Sequence, residues 1–142
     1  MGQQIKTQWE GNMLFNADTL GGNFKIDAAP EFGGKGKGVR PKALMLTSLA
    51  GCTGMDIISL LKKMRAEVEG LDINVTGELT EEHPKIYKKV YLEYIFYGKD
   101  LKKDKIEKAV QLSDEKYCGV MEMFRQFATI TTEIRYIEKK SS

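Results

Sequence analysis

Ile5, Thr7 and Trp9 alternate with polar residues near the start of the chain, a period of two that predicts a β-strand. Gly11-Asn12 turns it into a second strand over Met13–Ala17. Gly21-Gly22-Asn23 leads to a third over Phe24–Ala28, completing a small antiparallel meander. Residues 30–40 hold four glycines and no apolar period, which predicts a flexible loop. It is not read as a phosphate cradle, because Gly36-Lys37 is followed by Gly38 where a Walker loop needs Ser or Thr. Pro41, whose missing N–H costs nothing in a first turn, then opens a helix running to about Arg65. Leucines, isoleucines and methionines lie nearly all round this helix, the signature of a buried element.

Gly70 ends that helix, and alternation from Leu71 to Leu79 predicts a strand. His83-Pro84 turns it into a partner in which Ile86, Lys88, Val90, Leu92, Tyr94 and Phe96 share one side. Residues 99–112 carry apolar positions at helical spacing. Ser113-Asp114 offers an N-cap for a short helix that carries Cys118 and runs to about Phe127. Thr129–Ile137 is a β-branched final strand. The order βββ-α-ββ-α-α-β predicts an α+β fold, antiparallel sheets around a long buried central helix, in a single domain spanning 1–142.

Composition narrows the function. The chain has 142 residues, 42% hydrophobic and 30% charged, as expected of an ordinary globular domain. Its 22 Lys and Arg against 20 Asp and Glu give +2, too small a surplus for general nucleic-acid or membrane-surface binding. No apolar run approaches the roughly 18 residues of a spanning helix. The N-terminus has no hydrophobic region of a secretory signal, and Lys6 stands where myristoylation needs Ser or Thr. Two cysteines and a single His cannot build a four-ligand Cys/His zinc site in one chain. These features predict a cytoplasmic protein in which Cys52 and Cys118 are either buried fillers or reactive thiols.

Cys52 lies inside the long helix, flanked by Gly51 and Gly54. Each glycine costs about 1 kcal/mol of helix propensity relative to Ala. A close neighbour, a kink, or room for a substrate would offset that cost. Cys118 falls near a helix N-terminus, where N–H groups and the dipole favour a thiolate. The two are 66 residues apart, so neither CxxC redox spacing nor metal spacing applies. Asp56 is one turn after Cys52 and reads as structural or as a partner for a cation. The methionines near both cysteines read as soft packing, and His83 as a solvated turn residue. Glu122 and Arg125, at i,i+3, read as an exposed pair.

The segment from Pro41 through Leu49-Ala50-Gly51-Cys52-Thr53-Gly54-Met55-Asp56, with Cys118-Gly119-Val120 late in the chain, resembles the OsmC/Ohr family. That pattern is a Pro opening a helix, a Cys eleven positions on, and a second Cys starting a later helix before the last strand. The resemblance implies the OsmC-like fold, an intertwined homodimer with active sites at the subunit interface, and a thiol-dependent peroxidase acting on organic hydroperoxides. It further implies Cys52 as the peroxidatic thiolate and Cys118 as the resolving thiol. An external dithiol would serve as reductant, with no metal or other cofactor. Ohr-type relatives hold the thiolate with an N-terminal Arg oriented by a Glu just after the Pro. Here those positions are Lys42 and Ala43, and the first arginine, Arg40, is the candidate for the cation's role. A second reading keeps the fold and makes it a non-catalytic or redox-sensing dimer that holds an apolar ligand near its thiols.

Overall fold

The computed structural model describes residues 2–138. The chain forms two compact units, residues 1–45 and 46–142.

In the first unit, β1 (Lys6–Trp9), β2 (Phe15–Thr19) and β3 (Gly22–Ile26) form an antiparallel sheet in sequential order. The loop after it is tied down, contrary to the flexible segment expected from its glycines. The buried Asp27 carboxylate accepts N–H bonds from Ala28 at 2.8 Å, Lys35 at 3.0 Å and Lys37 at 3.1 Å. These donors hold its pKa below the ordinary carboxylate value. Two glycines permit the close approach: a Cβ at Gly34 would lie 1.6 Å from the Ala28 carbonyl oxygen, and one at Gly38 would lie 2.7 Å from Lys25 backbone. A carboxylate thus does here what apolar periodicity does elsewhere, and the charge pattern of a lysine-glycine run conceals it.

The long helix α1 (Leu44–Met64) runs from the end of the first unit into the second. Pro41–Ala43 form the turn leading into it, with the Leu44 N–H bonded to the Pro41 carbonyl. Its end is made by Arg65, in the left-handed region at φ 57°, with the Ala66 N–H returning to the Leu61 carbonyl. Gly70, expected to terminate the helix, is instead the first residue of β4 (Gly70–Leu79).

Within the second unit β4 pairs antiparallel with β5 (Tyr87–Gly98), as the hairpin signal implies. The last strand, β6 (Thr129–Glu138), departs from the antiparallel expectation and joins β5 in parallel. A parallel neighbour needs a crossover, and α2 (Lys103–Leu112), a π-helical turn (Ser113–Tyr117) and α3 (Gly119–Arg125) supply it. A register shift at Glu78/Leu79 inserts Lys88 as an extra residue, pairing Tyr87 with Leu79 and Lys89 with Glu78. Simple alternation put Ile86 with Val90 and Phe96. The bulge exposes Ile86 and buries Tyr87 instead.

Helix α1 is buried on one stripe, not all round. Leu49, Thr53, Ile57 and Leu61, spaced four apart, enter the core with Leu92, Phe96 and Phe124. Met55 remains 76% exposed, and Met45 and Ile58 are also exposed. One sheet covers one face. By length and composition α1 is apolar enough to cross a bilayer, yet its buried stripe packs in the protein's own core.

Candidate active site

Cys52 and Cys118 meet in the second unit. Helical spacing puts Cys52 and Asp56 on one face of α1, at i and i+4. The π-helical turn brings Cys118 up to that face. It closes with the Cys118 N–H bonded to the Ser113 carbonyl at 2.9 Å, a five-residue span, and breaks the continuous helix there. Cys118 is then itself the N-cap of α3, its sulfur accepting the Met121 N–H at 3.3 Å. Ser113-Asp114, expected as the cap, lies inside the π turn, with both side chains buried. The sulfurs of Cys52 and Cys118 and an Asp56 carboxylate oxygen all lie within 4.8 Å of one another.

The two thiols differ in environment. Cys52 is half-buried and Cys118 is 4% exposed. Burial pushes the Cys118 pKa up to about 12, and its hydrogen bond to Cys52 adds to the rise. The Met121 N–H works in the opposite direction but is outweighed. Position at a helix start therefore does not make Cys118 a thiolate. Desolvation exceeds the benefit of one N–H donor.

A polar network backs the sulfurs. The Ser113 hydroxyl lies 3.2 Å from Asp56 Oδ2, to which it donates, and 3.4 Å from the Thr53 carbonyl. The Tyr94 hydroxyl, on the buried face of β5, donates to Asp114 Oδ1 at 3.1 Å. Burial raises the Asp114 pKa to about 6, and burial together with the Asp114 charge raises that of Tyr94. Asp114, Ser113 and Tyr94 were not legible as site residues. Tyr94 reads as strand packing, and the Ser113-Asp114 pair reads as an N-cap.

The glycines around Cys52 have separate reasons. A Cβ at Gly54 would come within 3.0 Å of Ile73 Cδ1, so Gly54 admits a close neighbour. Gly51 faces open space. Beside them a shallow apolar groove of about 690 Å³ runs along α1, lined by Gly51, Gly54, Met55, Ile58, Leu71 and Ile73. Arg40 is exposed in the first unit, where its guanidinium donates to the Gly38 carbonyl at 3.2 Å and attracts Asp27. Glu122 and Arg125 form an exposed pair at 3.9 Å.

Comparison with known proteins carries the site to a family. Residues 34–133, holding both cysteines and Asp56, match the family described as OsmC-like protein. The chain belongs to the OsmC-like family. It is 30% identical over 134 residues to Protein YhfA of Escherichia coli (strain K12), covering 90% of this chain and 93% of that protein. A crystal structure of a hypothetical protein from Aquifex aeolicus VF5 is 31% identical, with a TM-score of 0.81 and coverage of 97% of this chain and 99% of that one. The organic hydroperoxide resistance protein OsmC of Legionella pneumophila shares the fold at 18% identity, with a TM-score of 0.71 and coverage of 95% and 97%. Membership in the OsmC-like family supports a redox or peroxide-related function.

Proposed function

We propose that this protein is a thiol-dependent peroxidase that reduces organic hydroperoxides to alcohols. The observation that carries the reading is that the sulfur of the half-buried Cys52 lies within 4.8 Å of that of the buried Cys118. The Cys52 thiolate attacks the terminal oxygen of the hydroperoxide and the O–O bond breaks. The alkoxide leaves, takes a proton and becomes the alcohol, while Cys52 becomes a sulfenic acid. Cys118 then attacks that sulfur. Its proton departs with the hydroxyl as water, and a Cys52–Cys118 disulfide forms. An external dithiol restores the pair by exchange.

The working unit in this reading is an intertwined homodimer in the cytoplasm. The uncovered apolar side of α1, with Met55 at 76% exposure, supports a second copy as its cover. Met55→Glu is expected to shift the protein from dimer to monomer in sedimentation velocity. A Met55→Glu protein that sediments as wild type would remove this face from the interface. Arg40 stands in the proposal as the cation for the thiolate.

Asp56 favours the second reading, a non-catalytic or redox-sensing dimer holding an apolar ligand. A carboxylate within 4.8 Å of both sulfurs opposes negative charge on either. Stopped-flow oxidation separates the two. A peroxidase reacts rapidly with cumene hydroperoxide and more slowly with hydrogen peroxide. Slow reaction with both favours the sensing or binding dimer.

A further inference from the structure

We propose that Cys52, Asp56 and Cys118 together form a binding site for a thiophilic divalent cation, with Zn²⁺ the ion their donors fit. Two sulfurs and a carboxylate oxygen are a borderline-soft set of the kind zinc takes, and three protein ligands leave a fourth position for water or another ligand. On a tetrahedral ion, thiolates at about 2.3 Å stand roughly 3.8 Å apart. A thiolate and a carboxylate oxygen on that ion stand roughly 3.5 Å apart, so three donor atoms all within 4.8 Å of one another need close by no more than about 1.3 Å.

The surroundings match a metal site as well. Cys52 and Asp56 share a helix face, so one rigid element presents two of the ligands. Ser113 Oγ donates to Asp56 Oδ2 at 3.2 Å, the outer hydrogen bond that orients a ligating carboxylate. The same carboxylate that opposes a free thiolate is explained as a ligand. The linear spacing of the cysteines hides the site because Asp56 enters it from one helix and Cys118 from a π turn 57 or more residues later.

Binding by the reduced chain stands apart from the peroxidase reading. Its consequence for the reaction rests on that reading. The ion withholds both sulfurs from a hydroperoxide, and oxidation expels it. In that step two metal-bound thiolates, one organic hydroperoxide and two protons give the disulfide, the alcohol, water and free Zn²⁺. Two electrons pass from sulfur to the O–O bond.

Reduced, metal-free protein titrated with Co²⁺ tests the binding, followed by Zn²⁺ competition against a chromophoric chelator. One equivalent of Co²⁺ is expected to produce a sulfur-to-cobalt charge-transfer band, which one equivalent of Zn²⁺ abolishes. Cys52→Ser and Cys118→Ser should each retain about half of that band, since each removes one of two thiolates. Asp56→Asn should bind Zn²⁺ at least about tenfold more weakly. Absence of the band in wild type, an unchanged band in either cysteine variant, or unchanged Zn²⁺ affinity in a folded Asp56→Asn protein overturns the proposal. If Asp56→Asn does not fold, the band intensities of the cysteine variants decide. Release of Zn²⁺ by cumene hydroperoxide is a separate readout. Its failure alongside intact binding counts against the peroxidase reading alone.

Discussion

Cys52→Ser is expected to abolish turnover with cumene hydroperoxide, a fall on the order of a thousandfold or more, as when an enzyme loses its nucleophile. Cys118→Ser should behave differently. Its Cys52 still attacks peroxide, and one sulfenic acid per chain accumulates because no neighbouring thiol condenses with it. Stopped-flow kinetics with a sulfenic-acid trap distinguishes the two outcomes. The asymmetry follows from the environments: Cys52 is half-buried, whereas Cys118 is nearly inaccessible and its burial pushes its thiol pKa up. If both variants turn over like wild type, neither sulfur carries the reaction.

The second large effect concerns Asp114. Burial raises its pKa from 3.8 to about 6, so between these values the folded protein binds more protons there than the unfolded chain. Its stabilising contribution is complete below the unfolded value and is lost as pH rises through about 6. Asp114→Asn keeps an oxygen to accept the Tyr94 hydroxyl and cannot ionise. At neutral pH the variant should be more stable than wild type by up to about 3 kcal/mol, the worth of roughly two pK units, a ceiling that solvent screening at this partly exposed group lowers. Near pH 4 the two should converge. Urea unfolding across that range measures the difference. A variant less stable than wild type at neutral pH contradicts the account of Asp114.

Much of the frame is legible in the chain because local periodicity creates it. The meander, the long helix, the β4–β5 hairpin and the final strand each follow from alternation, helical spacing or turn residues. What escapes is what tertiary context decides. Nothing in Thr129–Glu138 says that β6 runs parallel to β5, since strand polarity depends on the crossover and not on side-chain pattern. The bulge that buries Tyr87 arises from one extra residue at Lys88, which alternation cannot register. Asp27 orders a glycine-lysine loop through backbone N–H groups that composition does not reveal.

The site divides in the same way. Both cysteines are singled out by type and by their place on helices. Their meeting is a property of the π turn, where the Cys118 N–H reaches back to Ser113 and redirects the chain toward α1. The helix-start argument for a Cys118 thiolate weighs the dipole without the burial, and burial is the larger effect. Asp56 is placed correctly on the Cys52 face by spacing alone, yet its company with Ser113 and Cys118 depends on folding.

The central claim is that the two sulfurs react with each other. Peptide mass spectrometry after one equivalent of hydroperoxide, with free thiols alkylated before digestion, tests it most directly. The account predicts one species in which Cys52 and Cys118 are joined within a single chain and neither is alkylated. Recovery of Cys118 fully alkylated beside a Cys52 carried on to sulfinic acid contradicts it.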